Sequence, residues 1–299
     1  MHKQKVHGLE RKQQIIGWGF VLIPSLLIFV FSFYPMIQSF FLSLQSGKGI
    51  VYEFVGFKNY IRLFSDPMFK QAVANTFLYL IIQVPIMLLL GLIIAALLNA
   101  PSLKFRGFYR TAIFLPCVTS LVAYSVLFKS IFAYDGIVNR FFMAIHVLEE
   151  PISWLLDPFW AKVVIIIAIT WRWTGYNMIF YLAGMQNIDT SIYEAADIDG
   201  ASKFQQFKLI TIPLLKPIIL LTTIMSTNGT LQLFDEAMNI TNGGPGNSTM
   251  TISQYIYNQS FVYTPNFGYA ATISYAILFM VAVLAIIQFK VSKVGDQND

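Results

Sequence analysis

Six apolar runs, each long enough to cross a lipid bilayer, occupy most of the chain and limit what it can fold into. A hydrocarbon core about 30 Å thick needs roughly 20 consecutive apolar residues in a helix. Lipid offers the backbone no hydrogen-bond partner, whereas a helix satisfies its own amides and carbonyls. The runs lie at approximately Ile15–Phe41, Ala74–Leu98, Thr111–Phe132, Phe159–Ala183, Leu214–Phe234 and Tyr269–Phe289. The sequence therefore predicts an all-α, polytopic membrane protein with six transmembrane helices.

The composition excludes an ordinary soluble domain and does not favour nucleic-acid binding. Only 12% of the residues are charged, against about 25% in soluble proteins. The net charge is +5, but the sequence has no Lys- and Arg-rich stripe with interleaved aromatic residues. We therefore predict contact with membrane lipid and no nucleic-acid partner. The single cysteine, Cys117, leaves no disulfide possible within the chain.

The basic residues between the apolar runs predict how the chain is oriented. The loops and tails on one side carry 12 Lys and Arg residues, and the loops on the other side carry 7. Because cytoplasmic loops are richer in Lys and Arg, both termini are predicted to be cytoplasmic. The predicted organisation is a tail at 1–14, a six-helix membrane domain at 15–290 with a cytoplasmic loop at 184–216, and a tail at 291–299. The first run is longer than the apolar region of a signal peptide, so we predict an uncleaved span.

The sequence lacks the motifs of an energy source or a catalytic centre. It has no G-x-x-x-x-G-K-[ST], H-E-x-x-H or G-x-S-x-G pattern. The histidines His2, His7 and His146 are not clustered, so no metal site is predicted. The chain is therefore predicted to be no enzyme, and uphill transport would take its energy from another subunit. From the residues alone, a self-sufficient secondary transporter or channel stays open, with Arg172 and Asp235 as candidates to couple ions.

Polar side chains inside the fourth and fifth apolar runs are candidates to line a transport path. An arginine deep within a span, such as Arg172, costs roughly 2.5–3.5 kcal/mol on insertion scales and must face a cavity or a partner. Hydroxyls and amides could hydrogen-bond a sugar, and aromatic rings could stack on its apolar face. The candidate path residues are Trp171, Arg172, Trp173, Tyr176, Asn177, Asn228, Gln232 and Phe234. The competing interpretation is interhelical hydrogen bonding, and for Arg172 this structural role is favoured.

A polar, helix-forming segment interrupts the apolar pattern between the fourth and fifth runs. Ser191-x-x-Glu194 matches a capping box, which predicts a helix start there. Gly200 fits the left-handed position that ends a helix. A second helix is predicted from about Ala201, with Phe204 and Phe207 on one face, and Pro213 is predicted to start the next span. The segment is either a connector between spans or a surface on which a partner docks.

The same segment, "YEAADIDGASKFQQFKLITIP", resembles the EAA loop of membrane permease subunits in binding-protein-dependent ABC importers. The family pattern falls on Glu194, Ala195, Ala196, Gly200, Ile210 and Pro213. Ile212 stands where leucine is usual. The stretches "FRGFYRTAIFLPCVTS", "WRWTGYNMIFYLAGMQNI" and "TNGGPGNSTMT" are similar to the maltose-type carbohydrate-uptake branch, and the version here is similar to lactose-, arabinose- or raffinose-type permeases.

This resemblance implies a type I ABC importer permease fold in the bacterial plasma membrane and a set of partners. They are a second permease, expected to be a different chain, two ATP-binding subunits and an extracellular solute-binding protein that delivers the sugar. ATP and Mg²⁺ would bind the partner subunits, so no cofactor is expected in this chain. The sugar is expected to be a di- or oligosaccharide. The residues expected to couple to an ATP-binding subunit are Tyr193, Glu194, Ala195, Ala196, Asp199, Gly200, Ala201 and Phe204.

Overall fold

The structure, a computed structural model, describes residues 2–47, 52–100 and 102–296, and this part of the chain is almost entirely helical. The first helices are α1 (His2–Ile28), α2 (Tyr34–Ser43), α3 (Lys58–Ser65), α4 (Pro67–Asn99), α5 (Arg106–Val118), α6 (Leu121–Ile131) and α7 (Ile137–Ala144). They are followed by α8 (Pro158–Gln186), α9 (Thr190–Ile198), α10 (Lys203–Gln206), α11 (Ile212–Leu231), α12 (Ile252–Tyr257) and α13 (Phe267–Asp296). Short π-helical turns occupy Phe29–Phe33, Phe207–Thr211, Ala237–Thr241 and Asn258–Val262. Strands β1 (Gln45–Ser46) and β2 (Glu53–Phe54) pair antiparallel, with Gln45 opposite Phe54.

Within the part of the chain that the structure describes, five helical stretches are long and apolar enough to cross a membrane, which confirms the predicted all-α, multi-pass architecture. They are Gln13–Ser43, Pro67–Asn99, Pro158–Gln186, Lys203–Leu231 and Phe267–Val291. The first of them continues α1, which already begins at His2, through the π-helical turn into α2. The predicted tail at 2–14 is therefore helical, whereas residue 1 and residues 297–299 of the predicted tails lie outside the described part of the chain.

The third predicted span, Thr111–Phe132, is not one straight helix. The chain forms α5 and α6, which meet at a bend of 98°. Thr119 and Ser120 between them are extended, with ψ of 150° and 132°. Pro116 lies one turn earlier and has no amide hydrogen for the helix ladder, which weakens the helix just before the break. The hydropathy of the run predicts its length and not this change of direction.

An Asp-Pro pair begins each of the two long helices α4 and α8. The Asp66 carboxylate accepts from the amides of Met68 and Phe69, and the Asp157 carboxylate accepts from Phe159 and Trp160. Proline at the first helical position suits this arrangement because that amide would have no partner within the helix. Both helix starts are therefore specified by local sequence.

The chain divides into two compact units. The first unit consists of the residues up to Phe64 together with Gln259–Tyr275. In it, the Asn59 side chain donates to the carbonyls of Ser43 and Gln45 at 2.9 and 2.8 Å, and the Arg62 guanidinium lies 4.0 Å from the ring centre of Tyr269. These contacts attach α3 to the end of α2, to β1 and to the start of α13.

The second unit consists of Ser65–Asn258 and the residues from Ala276 onward. Helix α8 runs through its centre. Small residues let the neighbouring helices approach α8 closely. A Cβ added to Gly175 of α8 would overlap the Ile113 carbonyl of α5, and one added to Gly91 of α4 would lie 3.3 Å from the Asn177 Cβ. Close approach through small residues is typical of packed membrane helices. The core at one end of this bundle consists of Leu92, Ala95, Leu98, Met178, Tyr181, Leu182, Met185 and Leu215.

Candidate functional site

A cavity of about 300 Å³ lies between α4, α8 and α11. This volume is at the lower end of the range for small-ligand pockets, about 300–1,000 Å³. Its wall combines aromatic rings, amides, hydroxyls and carboxylates. The side chains with this chemistry are Gln83 from α4, Trp173, Tyr176 and Asn177 from α8, Ser226 and Thr230 from α11, and Gln232, Phe234, Asp235 and Glu236 from the segment that follows α11.

Hydrogen bonds between helices hold the polar part of this wall in place. The Ser226 hydroxyl of α11 donates to the Asn177 side-chain oxygen of α8 at 3.4 Å. The Thr230 hydroxyl donates to the fully buried Gln83 side-chain oxygen of α4 at 3.3 Å. The three helices are therefore tied together around the cavity, and its polar groups are fixed by partners on a neighbouring helix.

The structure brings part of the predicted path together and places the rest elsewhere. Trp173, Tyr176, Asn177, Gln232 and Phe234 line the cavity. Trp171, Arg172 and Asn228 do not. The Trp171 ring stacks on Tyr124 at 6.0 Å between ring centres and lies 5.6 Å from Phe128. The exposed Asn228 accepts a 2.7 Å hydrogen bond from Gln232.

Arg172 contacts the break between α5 and α6. Its Nη2 donates to the carbonyls of Thr119 at 3.1 Å and of Cys117 at 3.4 Å. Cys117 lies in the last turn of α5 and Thr119 is its C-cap residue, so the helix offers these carbonyls no partner. The guanidinium carbon also lies 5.1 Å from the Tyr124 ring centre and 5.6 Å from that of Trp173. Only 6% of Arg172 is exposed, and its charge faces the negative end of the α5 dipole.

The polar segment between α8 and α11 begins differently from the prediction. Helix α9 starts at Thr190, and its N-cap is Asp189, whose carboxylate accepts from the Ser191 amide at 2.9 Å. The predicted capping box of Ser191 and Glu194 is therefore wrong, because Ser191 already lies inside the first turn. A capping box does form at the next helix, where the side chains of Ser202 and Gln205 bond to each other's backbone amides.

Gly200 ends α9 as predicted. It is left-handed, with φ of 77°. The Gly200 amide donates to the Asp197 carbonyl at 3.1 Å, and the Ala201 amide donates to the Ala196 carbonyl at 2.9 Å. This pair of bonds is the Schellman motif, which satisfies two carbonyls at the helix end.

Side-chain contacts fasten α9 to the helix that follows the Gly200 turn. The Lys203 ammonium lies 2.8 Å from the Asp197 carboxylate, and Gln206 also donates to that carboxylate. The hydrogen bonds from Lys203 and Gln206 lower the pKa of Asp197 below its ordinary value. The Tyr193 and Thr211 hydroxyls lie 2.8 Å apart. These contacts join α9 to α10 and to Thr211, the residue that precedes α11.

Helix α11 begins at Ile212 with Pro213 in its first turn, close to the predicted start of the fifth span, but the helical stretch that contains it begins earlier. The chain is helical from Lys203 through the π-helical turn at Phe207–Thr211 to Leu231, so Pro213 lies inside a longer helix. A second cavity, of about 920 Å³, lies between α9, α10 and the end of α4. Tyr193, Glu194, Phe204 and Phe207 line it. The predicted common face of the two phenylalanines is therefore present.

Several residues of both regions were missed by the sequence analysis. In the first cavity they are Gln83 and Ser226, and in the α9 region they are Asp189, Asp197, Gln206 and Thr211. Gln83 offered a signal, because an amide inside a long apolar run has to find a partner. Among the residues that the structure describes, no group of three or more His, Cys, Asp or Glu side chains could hold a metal ion.

Comparison with known proteins gives concordant matches over most of the chain. The family described as "Binding-protein-dependent transport system inner membrane component" matches residues 68–293. The lactose transport system permease protein LacF of Rhizobium radiobacter is 59% identical over 256 residues, covering 85% of this chain and 86% of that protein. The arabinooligosaccharides transport system permease protein AraP of Halalkalibacterium halodurans is 36% identical over 245 residues, covering 80% and 77%. A chain of a bacterial ABC transporter that imports the acidic polysaccharide alginate has the same fold, with a TM-score of 0.83 at 22% identity over 95% of this chain and 97% of that one.

Proposed function

Because the chain belongs to the family of binding-protein-dependent transport system inner membrane components, we propose that it forms half of the membrane path of an ATP-driven sugar importer. Membership makes it a multi-pass inner-membrane transport subunit and not an enzyme. The other half of the path would be a second, different permease. Two ATP-binding subunits would hold ATP and Mg²⁺, and an extracellular solute-binding protein would deliver the sugar.

The cavity beside α8 is the observation that carries the sugar proposal. Trp173 and Tyr176 offer aromatic faces, with ring centres 5.8 Å apart and planes at 90°. Asn177 and Gln232 offer amide donors and acceptors at the same wall. A sugar ring has an apolar face bordered by hydroxyls, and this combination of stacking surface and neutral hydrogen-bonding groups matches it. A di- or oligosaccharide would pass this site, as the lactose and arabinooligosaccharide permeases among the relatives suggest.

The exposed face of α11 favours a second permease as neighbour. Asn228 is exposed on an apolar helix, and the added Cβ of a residue replacing Gly229 would meet nothing within 4 Å. An amide in contact with lipid tails loses its hydrogen-bonding partners. A protein or aqueous surface opposite this face would satisfy it. We propose that the path runs between this face of α11 and the partner permease.

Helix α9 is the proposed contact with an ATP-binding subunit. It has no buried side chain, and Ile198 and Phe204 beside the Gly200 turn are 87% and 72% exposed. The docking residues are Tyr193, Glu194, Ala195, Ala196, Asp199, Gly200, Ala201 and Phe204. Their movement on ATP binding would reach α11 through the Tyr193–Thr211 contact.

Reconstitution of the whole system tests the proposal. The chain is coexpressed with a second permease, ATP-binding subunits and a solute-binding protein, and uptake of radiolabelled lactose and arabinooligosaccharides into proteoliposomes is measured. Uptake should require both ATP and the binding protein. Uptake by the lone chain without ATP would overturn the proposal in favour of a self-sufficient transporter.

A pair of tryptophans provides a matched test of the sugar site. Trp173→Ala should slow uptake about five-fold or more, because an aromatic stacking surface is worth on the order of 1–3 kcal/mol in the comparable case of nucleic-acid bases. Trp171→Ala removes the same ring two positions away, outside the cavity. An equal loss of transport in both variants, at equal complex stability, would contradict the assignment of the site.

Charge changes on α9 and at the Gly200 turn test the coupling role. Glu194→Lys and Gly200→Asp should reduce binding of the ATP-binding subunit, or its sugar-stimulated ATPase, while membrane insertion stays intact. Glu150→Lys makes the same charge change at an exposed position of another loop and serves as control. Normal ATPase coupling in both α9 variants would show that this helix is not the docking element.

A further inference from the structure

The charged side chains that line the first cavity are both acidic. Asp235 and Glu236 follow α11 directly. Glu236 is 4% exposed and Asp235 is half-buried, so Asp235 is the more open of the two. The described residues that line this cavity include no Lys, Arg or His.

Arg172 is close enough to act electrostatically on Glu236, but it does not line the cavity and forms no ion pair with Asp235. It adjoins Trp173 in α8, but its Nη2 donates to the carbonyls of Cys117 and Thr119, away from the lining. Among the described residues, no cation lies within ion-pair distance of Asp235. Its charge is therefore not neutralised by a neighbouring side chain.

A fixed negative charge in this position distinguishes between kinds of sugar. A carboxylate accepts hydrogen bonds from the hydroxyls of an uncharged sugar. It repels the carboxylate, sulfonate or phosphate of an acidic sugar, and this repulsion is stronger near a low-dielectric protein wall than in water. Discrimination by an unfavourable charge is a general means of specificity.

We propose that Asp235 makes the cavity selective for uncharged sugars over anionic ones. This inference rests on the proposed function, since it assumes that sugars pass this cavity, and it places a charge preference in the membrane path itself. Asp235 is then a specificity-determining residue of the membrane path, and the buried carboxyl group of Glu236 lies beside it.

The test compares a neutral disaccharide with its own acid. Binding of lactose and of lactobionate to the assembled importer in nanodiscs, without solute-binding protein, is measured by calorimetry at low ionic strength. Wild type should bind lactose more tightly than lactobionate. Asp235→Asn should narrow the ratio of the two affinities about ten-fold, the change that roughly 1.4 kcal/mol of lost repulsion produces. Asp235→Glu, which keeps the charge, should keep the preference.

Glu150→Gln is the control, because it removes one negative charge from the chain at an exposed position outside the cavity. It should leave the ratio unchanged. If Asp235→Asn does not assemble, Asp235→Ser provides the same comparison. An unchanged ratio in the neutral variant that still binds lactose would overturn the charge preference alone. Failure of the wild-type importer to bind either sugar would instead overturn the sugar site itself, and the charge preference with it.

Discussion

Arg172 and Thr119 are joined by a 3.1 Å hydrogen bond from the Arg172 guanidinium to the Thr119 carbonyl, across 53 residues of sequence. The bond connects the central helix α8 to the point where α5 gives way to α6. A broken helix in a membrane leaves carbonyls that lipid cannot satisfy, and such breaks persist where protein groups replace the missing bonds. Arg172 therefore serves the architecture of the bundle.

Replacing Arg172 by Gln should destabilise the protein more than it changes sugar affinity. The Thr119 and Cys117 carbonyls lose a charged donor, and hydrogen bonds to charged groups contribute roughly 1.5–3 kcal/mol each. Thermal unfolding in detergent, followed by size-exclusion chromatography, should show a lower midpoint. Arg140→Gln, at an exposed position, should leave the midpoint near that of wild type. A normal midpoint together with lost sugar binding would argue for a direct role in the path.

Gly175→Ala should lower stability although alanine is the better helix former. The added Cβ would overlap the Ile113 carbonyl of α5, so the two backbones would have to separate. Overpacking of this kind typically costs about 1–3 kcal/mol. Gly107→Ala is the matched control, because a Cβ there meets nothing within 4 Å and alanine should be neutral or stabilising. Equal unfolding midpoints of the two variants would show that α5 and α8 can move apart without loss of stability.

Gly200→Ala should loosen the end of α9 without creating any clash. The position has φ of 77° and open space around it, so the penalty is purely conformational. For a residue with a Cβ, the left-handed conformation costs roughly 1–2 kcal/mol. Hydrogen exchange of the Gly200 and Ala201 amides, which donate in the Schellman motif, should become several-fold faster. Gly107→Ala, also with open space around it, should leave this exchange unchanged.

Asp197→Asn should destabilise the α9–α10 turn at neutral pH but not in acid. The pKa of Asp197 is lowered by hydrogen bonds from Lys203 and Gln206. A carboxyl group whose pKa is lower in the folded state stabilises that state above its ordinary pKa of about 3.9, and this contribution disappears as the pH falls through the lowered value. Hydrogen exchange of the α9–α10 turn should therefore be faster in the variant than in wild type at pH 7. The exchange rates of variant and wild type should become equal well below pH 3.9. A difference in rate that persists there would contradict the role assigned to the Asp197 carboxylate.

Local rules predicted the left-handed Gly200, because its conformation follows from neighbouring residues alone. The same rules placed the N-cap of α9 two residues late, since Asp189 and Ser191 both precede suitable helical residues and only the structure shows that Asp189 accepts the amide bond. Overlapping local signals of similar strength cannot be ranked without the surrounding contacts.

Contacts distant in sequence were beyond prediction. The partners of Arg172 are backbone carbonyls of α5, which carry no sequence signature. The bend at Thr119 and Ser120 depends on dihedral angles that hydropathy does not encode. Asn228 and Gln232 were both predicted to line the path, and a 2.7 Å hydrogen bond joins them, but only Gln232 lines the cavity.

Because of the π-helical turn at Phe207–Thr211, the number of residues between Gly200 and Pro213 determines how α9 is rotated about the axis of α11. Such a turn holds one residue more than the α-helix would, and each residue of an α-helix turns the chain by about 100°. Deleting one residue there would restore regular α-helix and swing α9 around the axis of α11. The surface that now carries Glu194 and Phe204 would then point in another direction while every residue in it stayed the same.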